Sequence, residues 1–393
     1  MKFTEAQLES VFAAQLEQEG YPHHLGNTIP RDEDDVLIEE DLRHFLLQQY
    51  HEEGITETEV QSIILRLKTL PSSDLYESNK TVMRMLSDGF PLKREDRSQK
   101  DIWIYLIDYS EANENKCKFV NQLEIVGTER RIPDGIIYVN GMPLVVFEFK
   151  TAIQENTTIY DAYIQLTVRY QRDIPELFKY NAFCVISDGV NTKAGSFFAP
   201  YEFYYAWRRI AGLAKEVDGI DSLFTLVQGM LHHNRLRDIV RNFIYLPDTS
   251  KKDEKIVCRY PQYYAARALY DSIKKAQKPK GNGKGGTYFG ATGCGKSFTM
   301  LFLVRLLMKS EHFESPTIVL ITDRTDLDDQ LSGQFTNAKT YIGDNTITSV
   351  ESRADLREQL QGRESGGVFL TTIHKFTEDT ELLTHRNLSL IHI

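Results

Sequence analysis

The chain has 393 residues, more than one ordinary domain holds, and its length predicts two or three folded units. Hydrophobic residues make up 41% and aromatic residues 11% of the chain, which excludes an intrinsically disordered protein. A formal net charge of −10 argues against a basic protein that coats nucleic acid, but an enzyme can still contact DNA through a local basic groove.

The four cysteines, Cys117, Cys184, Cys258 and Cys294, are widely spaced and form no C-x-x-C pair. This spacing argues against both a disulfide framework and a structural zinc site. The N-terminus carries acidic residues where a secretory signal has its apolar segment, and the apolar run "MLFLVRLLM" is short and broken by Arg305. We therefore expect a cytoplasmic protein without a membrane segment.

The first hundred residues predict helices, because apolar residues recur at helical spacing in 5–20, 39–54 and 57–70. From about residue 101 the pattern changes to short β-rich runs between polar turns, such as "DIWIYLIDY" and "KFVNQLEIVG". The segment "VNGMP" contains the Asn-Gly pair of a tight hairpin turn. A helix over 158–172 and a buried strand in "NAFCVISDG" complete a first α/β unit near residue 200.

A helical pattern returns between 203 and 250, and a second unit follows the polar segment "DTSKKDEK". This unit begins with a predicted helix over 261–278, a glycine-rich loop, and a short strand "TYF" at 287–289. A helix over 297–310 and the buried strands "PTIVLITD" and "GGVFLTTIH" come next. The recurring strand-helix-strand order predicts a parallel sheet.

The run "PDGIIYVNGMPLVVFEFK" brings two carboxylates and a lysine onto neighbouring strands. Glu148 and Lys150 share one strand face, whereas Phe147 and Phe149 face the other side. A hairpin turn at the Asn-Gly pair would bring Asp134 within reach of Glu148. Adjacent carboxylates repel each other unless a cation lies between them, and Mg²⁺ suits such a gap. The alternative is that these charges simply face solvent on an exposed strand.

This run resembles the core of PD-(D/E)xK nucleases. With "FTEAQLE", "VLIEEDLRHFL" and "YIQLTVRYQRDIPELFKYNAFCVISDGVNTKAGS", the whole chain resembles the restriction subunit of type I restriction-modification enzymes. The resemblance implies a Mg²⁺-dependent endonuclease that cuts double-stranded DNA, with Asp134 and Glu148 as metal ligands and Lys150 as a catalytic residue. It also implies ATP-driven DNA translocation in the intact protein, and modification and specificity subunits as partners.

Nucleases of this type commonly carry a Gln and a Tyr on the following helix, with three residues between them. Here Gln165 and Tyr170 have four residues between them. On a regular helix this separation is a rotation of about 140°, which does not put both side chains on one face, although a helix bulge would restore the pairing. Both are candidate catalytic residues, and the alternative is that they pack or face solvent.

The run "GATGCGKS" matches the phosphate-binding pattern G-x-x-x-x-G-K-[ST] directly before a predicted helix. We expect Lys296 to reach the β- and γ-phosphates of ATP and Ser297 to bind Mg²⁺. Upstream, "RYPQYYAARA" resembles the adenine-reading segment of superfamily 2 helicases, in which Gln262 would hydrogen-bond the base. The candidate nucleotide-binding residues are Gln262, Gly290, Gly293, Gly295, Lys296 and Ser297.

Two later segments, "ITDRTDLDDQ" and "LTTIHKF", resemble helicase motifs at strand ends. Asp323, Arg324, Thr371 and Thr372 would then lie at the carboxyl edge of the parallel sheet. The acidic D-E-x-H motif that completes such an ATPase is absent before Ile393. We therefore expect an N-terminal fragment that binds nucleotide weakly and does not hydrolyse ATP, and it stays open whether its last residues are native.

The sequence thus predicts an α/β protein with a nuclease-like mixed sheet and flanking helices, followed by a truncated RecA-like domain with a parallel sheet. The expected domains are an endonuclease domain at 1–202, a helical connector at 203–255, and an ATP-binding domain at 256–393. One alternative is another DNA-repair or type III-like helicase-nuclease, although type III subunits place the nuclease after the motor. The other is a catalytically silent module that binds DNA and the methylase.

Overall fold

The computed structural model describes residues 4–150, 158–210, 221–322, 325–344, 346–361, 363, 365–375 and 388–392. The chain forms two compact units, Met1–Ile244 with Lys255–Tyr260, and Tyr245–Glu254 with Pro261–Ile393. Both contain helices and strands, which confirms the mixed α/β class. The nuclease-like and RecA-like folds and the domain limits at 202 and 255 stay predictions. No helix in the described part of the chain is long and apolar enough to cross a membrane.

Short strands and one long buried strand make up the β-structure of the first unit. They are β1 (His23–Leu25), β2 (Phe90–Leu92), β3 (Ile102–Ile104), β4 (Cys117–Asn121), β5 (Ile125–Val126), β6 (Arg130–Arg131), β7 (Gly135–Val139), β8 (Met142–Phe149), β9 (Phe183–Ser187) and β10 (Thr192–Gly195). The main sheet has the order β1-β4-β7-β8-β9-β10. In this sheet β1 runs parallel to β4 and β8 parallel to β9, and the other neighbours are antiparallel.

Helices cover this sheet and extend from it. They are α1 (Glu5–Gln18), α2 (Glu39–Gln49), α3 (Glu57–Lys68), α4 (Leu75–Asp88), α5 (Ile159–Ile164), α6 (Gln171–Asp173), α7 (Pro175–Phe178), α8 (Asp221–Thr225) and α9 (His233–Asn242). Between α5 and α6 the backbone forms a π-helical turn, Gln165–Tyr170, so that one continuous helical segment runs from 159 to 173. A second π-helical turn, Leu226–Met230, links α8 to the loop before α9.

Strand β8 lies in the core of the first unit, since each of its residues is buried. On one side of the sheet, the ring of Phe12 from α1 lies 5.6 Å from that of Phe147 and stacks at 4.6 Å on that of Phe149. The opposite side, which carries Glu148, is covered by the segment from α5 to α6. Burial of both faces explains why the sequence of β8 is an almost unbroken apolar run.

The turn between β7 and β8 has a geometry that requires glycine. Gly141 has a φ of +76°, and a Cβ at this position would lie 2.2 Å from the carbonyl oxygen of Ile38. The buried amide of Asn140 holds the turn, since its Oδ1 accepts from Lys116 N at 2.8 Å and its Nδ2 donates to Leu106 O at 3.0 Å. The expected hairpin at the Asn-Gly pair is therefore confirmed.

Two predicted elements of the first unit differ from the structure. The helical pattern starting at 203 is wrong for residues 204–210, which are not helical. There the backbone of Tyr205 instead exchanges two hydrogen bonds of 2.9 Å with Ala194 in β10, so the segment extends the sheet edge. The strand predicted in "DIWIYLIDY" is much shorter than expected and consists only of β3.

The second unit contains a four-stranded parallel sheet, as the recurring strand-helix-strand pattern predicted. Its strands are β13 (Thr317–Thr322), β14 (Ile347–Ser349), β15 (Val368–Thr372) and β16 (Leu388–His392), in the order β14-β15-β13-β16. The helices of this unit are α10 (Tyr260–Ala276), α11 (Lys296–Met308), α12 (Thr325–Thr336), α13 (Lys339–Ile342) and α14 (Arg353–Leu360), of which α10 starts at the last residue of the first unit. The short strand β11 (Ile244–Tyr245) contains the boundary between the units, and its partner β12 (Ile256–Val257) belongs to the first unit.

The predicted strand "TYF" is wrong, because residues 287–289 form no strand. Both sides of β13 are occupied, by β15 and β16, and the ring of Phe289 is 92% exposed. A strand needs a ladder partner and a buried face, and this run has neither. Three residues between glycines, of which only two are aromatic, were too short a pattern to predict a strand.

Candidate active site

The structure brings Asp134, Glu148 and Lys150 together at the open end of the β7–β8 hairpin. Gly135 pairs with Phe147, so Asp134 lies just before β7 and beside the end of β8. Its Oδ2 accepts a 2.5 Å hydrogen bond from the backbone N–H of Phe149. Lys150 Nζ donates to Glu148 Oε1 at 2.8 Å and to the carbonyl oxygen of Phe149 at 2.9 Å. Asp134 and Lys150 therefore both bind the backbone of Phe149, and Lys150 also binds Glu148.

Gln165 and Tyr170 also meet at this cluster, through the π-helical turn that contains both. Gln165 Nε2 donates to the Tyr170 hydroxyl at 3.0 Å, and that hydroxyl donates to Glu148 Oε2 at 2.9 Å. A π-helix joins residues i and i+5, so it aligns side chains five apart that a regular helix would separate. The expected helix bulge is present and restores the pairing.

Burial controls the ionisation of the two carboxylates. It raises the pKa of Asp134 to about 7, against a hydrogen bond from Phe149 N–H and the charge of Lys150 that favour ionisation. It also raises the pKa of Glu148 to about 8, and the neighbouring Asp134 charge adds to this effect. If both groups were ionised, their two negative charges would face only the one positive charge of Lys150, which is why each group holds its proton to a higher pH than usual.

The charge of Glu148 raises the pKa of both Lys150 and Tyr170, which keeps the lysine charged and the tyrosine neutral. Burial favours the neutral amine of Lys150, but the Glu148 charge and hydrogen bond outweigh burial and raise the pKa of the lysine. Burial and the Glu148 charge raise the pKa of Tyr170 far above its ordinary value. Lys150 is therefore a cation and Tyr170 a neutral hydrogen-bond donor at neutral pH.

Two acidic residues of α1 belong to the surroundings of the site, and the sequence patterns did not predict them. The Glu5 carboxylate lies 3.9 Å from Lys150 Nζ. The charges of Glu9 and Glu5 contribute to the raised pKa of Asp134. The apolar spacing of α1 predicts which face is buried, but no local pattern indicates that its first turns lie beside the distant hairpin.

The second unit contains the predicted phosphate loop, with Gly293 and Gly295 at φ values of +79° and +81°. Lys296, the first residue of α11, turns back over the loop and donates to the carbonyl oxygens of Gly290 at 3.0 Å and Ala291 at 3.1 Å. Ser297 follows it in the first turn of α11.

Gln262 packs against the same loop. It is buried in the first turn of α10, and its Nε2 donates to the Gly295 carbonyl oxygen at 3.2 Å. Thr371 and Thr372 lie buried at the carboxyl end of β15. Asp323 and Arg324 lie outside the described residues. Gln262, the glycine loop and Lys296 thus come together at the N-terminus of α11.

Comparison with known protein families gives two matches along the chain. Residues 2–203 match the family described as type I restriction enzyme R protein N terminus, which covers the hairpin site and the π-helical turn. The chain belongs to this R protein family. Residues 261–392 match the SWI2/SNF2 ATPase family, a range that contains the phosphate loop.

Curated relatives agree with this assignment. The HindI endonuclease subunit of a type I restriction enzyme from Haemophilus influenzae is 33% identical over 98% of this chain. The SsaAORF53P endonuclease subunit of a type I restriction enzyme from Staphylococcus saprophyticus is 25% identical over 95% of it. The chain spans 38% and 37% of the lengths of these two relatives.

Proposed function

We propose that this chain is the endonuclease-bearing part of a type I restriction subunit, which cuts double-stranded DNA with the help of Mg²⁺. The observation that carries the proposal is the gathering of Asp134, Glu148 and Lys150 around the Phe149 peptide. In the intact protein, cleavage would be coupled to ATP-driven DNA translocation. The type I relatives support this assignment over the other helicase-nuclease alternatives.

The donor set fits a magnesium ion. Mg²⁺ is commonly bound by one or two carboxylates, with water and substrate phosphate completing its shell. Asp134 and Glu148 supply two carboxylates, and in the described residues no third His, Cys, Asp or Glu side chain is placed to complete a metal-binding group. The Lys150 ammonium lies against Glu148 Oε1 and the Phe149 carbonyl, where positive charge is already favoured.

Each protein group has a separate chemical task in this proposal. When bound, Mg²⁺ would polarise the scissile phosphate and lower the pKa of a water ligand. Lys150 is protonated, so it would offset negative charge that develops on the phosphate rather than accept a proton. Tyr170 would hold Glu148 in position by donating to Oε2, and Gln165 would orient the Tyr170 hydroxyl.

The second unit would bind ATP and a second Mg²⁺ at the phosphate loop. Lys296 and the N-terminus of α11 would receive the phosphates, Ser297 would contact the metal, and Gln262 would read the adenine. The match to SWI2/SNF2 ATPases supports a nucleotide-dependent role for this unit. We further propose modification and specificity subunits as partners, a cytoplasmic location, and a division into domains at 1–202, 203–255 and 256–393.

Cleavage of plasmid DNA tests the proposal. The wild-type chain should nick supercoiled plasmid with Mg²⁺ and stop when EDTA is added. Asp134→Ala and Lys150→Ala should abolish nicking, whereas Lys100→Ala, which changes an exposed lysine far from the hairpin in sequence, should leave it unchanged. Nicking that survives both active-site substitutions would refute the site. DNA binding without metal-dependent nicking would instead favour the silent binding module.

A further inference from the structure

The strand register places a further cationic side chain on the sheet face that carries Glu148. Glu148 pairs with Ile186 in β9, and Ile186 pairs with Lys193 in β10. Paired residues on neighbouring strands point to the same side of a sheet. Lys193 therefore shares the face of Glu148 and lies two strands away, a distance of about 10 Å at the usual strand spacing.

Tyrosines from two segments surround Lys193. Its Nζ lies 4.5 Å from the centroid of the Tyr201 ring and donates to the Tyr201 hydroxyl at 3.2 Å. The Tyr201 ring in turn meets Tyr160 edge-on at 5.1 Å and Tyr163 at 5.5 Å. Tyr160 and Tyr163 belong to α5, the helix that precedes Gln165 and Tyr170. The lysine and the catalytic cluster are thus connected through one helical segment.

The hydrogen bonds of this group leave donors available to a ligand. Lys193 Nζ has three hydrogens, and its hydrogen bond to Tyr201 uses one of them. The Tyr201 oxygen accepts that bond, so its own hydrogen can be donated to another acceptor. Within the described residues, Lys193 is paired with an aromatic ring and a phenol rather than with a carboxylate. A ligand with several anionic oxygens would match these donors.

We propose that Lys193, Tyr201 and Tyr160 form a ridge that binds the DNA backbone beside the cleavage site, an inference that rests on the proposed nuclease function. Lysine and tyrosine both contact phosphate oxygens in protein–DNA complexes. Neighbouring phosphates of a strand lie farther apart than the axial rise of about 3.4 Å, because the strand winds around the axis, so about 10 Å corresponds to about one or two nucleotides. The ridge therefore contacts a phosphate about one or two nucleotides from the scissile bond, and it contributes to affinity and position but not to sequence recognition.

Tyr160 supplies an exposed, uncharged contact of the ridge. Its side chain is 47% exposed although it stacks on Tyr163 at 5.7 Å. An exposed ring that is fixed by neighbouring rings loses little conformational freedom when it contacts a sugar or when its hydroxyl donates to a phosphate. Its removal should weaken DNA binding without altering the number of charge contacts.

The salt dependence of DNA binding tests the ridge, with the 393-residue chain and a fluorescent duplex oligonucleotide in EDTA. Loss of one phosphate contact should reduce the slope of log K against log salt by about 0.9. Between about 50 and 200 mM salt, wild type should therefore lose about 3.5-fold more affinity than Lys193→Gln. Lys193→Arg should restore the slope, Tyr160→Ala should weaken binding with the slope unchanged, and the exposed-lysine control Lys100→Gln should match wild type.

The position of the contact is tested by replacing single phosphates of the duplex with neutral methylphosphonates. A replacement about one or two nucleotides from the cut should weaken DNA binding by wild type but not by Lys193→Gln. Folding of each variant is checked by the emission of the two tryptophans. If Lys193→Gln keeps the wild-type slope, or if the wild-type chain binds no duplex, the ridge is refuted. If wild type shows the Lys193-dependent slope but never cuts with Mg²⁺, the ridge stands and the proposed nuclease function fails.

Discussion

Replacement of Asp134 by asparagine should stabilise the first unit at pH 8 when no divalent metal is present. The substitution keeps the shape of the side chain and an oxygen that can accept from Phe149 N–H, so the 2.5 Å hydrogen bond has a substitute. It removes a buried charge that lies beside the charge of Glu148. A residue that holds a cation is expected to cost stability in the metal-free protein.

The expected gain in the free energy of unfolding follows from the pKa of Asp134, which is about 7 in the folded chain and ordinarily 3.8. At about 1.36 kcal/mol per pKa unit, this difference corresponds to at most about 4 kcal/mol, and we expect about 1–3 kcal/mol because Asp134 is only partly buried. The folded chain holds this proton more tightly than the unfolded chain. Wild-type stability therefore falls as pH rises from 3.8 to about 7. The asparagine variant has no carboxyl at this position, so this part of its stability does not change with pH.

The assay is thermal unfolding followed by tryptophan emission. Both tryptophans of the chain, Trp103 and Trp207, belong to the first unit, so their emission reports on that unit alone. Asp134→Asn should raise the melting temperature at pH 8 by about 2–4 °C per kcal/mol and have a much smaller effect at pH 4.5. The exposed-carboxylate control Asp101→Asn should change little at either pH.

Magnesium should make wild type more stable than Asp134→Asn, the opposite of the order expected in EDTA. On the proposed function, Mg²⁺ should bind the folded wild type and raise its melting temperature at pH 8, but it should have little effect on Asp134→Asn. The reasoning is refuted if Asp134→Asn is no more stable than wild type at pH 8 in EDTA. It is also refuted if the gain is the same at pH 4.5 and 8, since a packing effect has no such pH dependence.

Three further substitutions test other contacts. Tyr170→Phe removes the donor to Glu148, and plasmid nicking should fall about tenfold while the melting temperature changes little. Lys296→Ala should weaken binding of a fluorescent ATP analogue at least about tenfold and leave plasmid nicking unchanged. Gly141→Ala forces a Cβ to within 2.2 Å of Ile38 O at a φ of +76°, and it should destabilise the first unit by more than about 2 kcal/mol in tryptophan-monitored urea unfolding.

The position of the candidate active site, formed by Asp134, Glu148 and Lys150, could be predicted because it depends on local rules. Alternation along β8 puts Glu148 and Lys150 on one face, and a tight turn at Asn140 and Gly141 fixes which residue of β7 lies opposite. The register shift between Ile137 and Tyr138 did not disturb this prediction, since Asp134 still lies beside the end of β8. A hairpin carries its own register, so a site built on one can be predicted without knowledge of the rest of the fold.

Contacts between segments far apart in the chain could not be predicted in this way. Glu5 lies beside Lys150 only because α1 packs on the sheet through Phe12. Similarly, Lys193 shares the face of Glu148 through two successive strand pairings. Helical and strand periods indicate which face of an element is buried, but they do not indicate which other element covers it.

The spacing of Gln165 and Tyr170 is compatible with two structures, a regular helix that separates the two side chains and a bulged helix that pairs them. The structure has the bulged helix. A regular helix has better backbone hydrogen bonds than a π-helical turn, so local preference alone favours separated side chains. Glu148, however, is fully buried, and Lys150 satisfies only one of its oxygens. A buried carboxylate oxygen without a donor costs more than one distorted helical turn, and Tyr170 supplies that donor only if the turn is wide. The hydrogen bond that Glu148 needs therefore explains why the helix widens into a π-helical turn at Gln165–Tyr170.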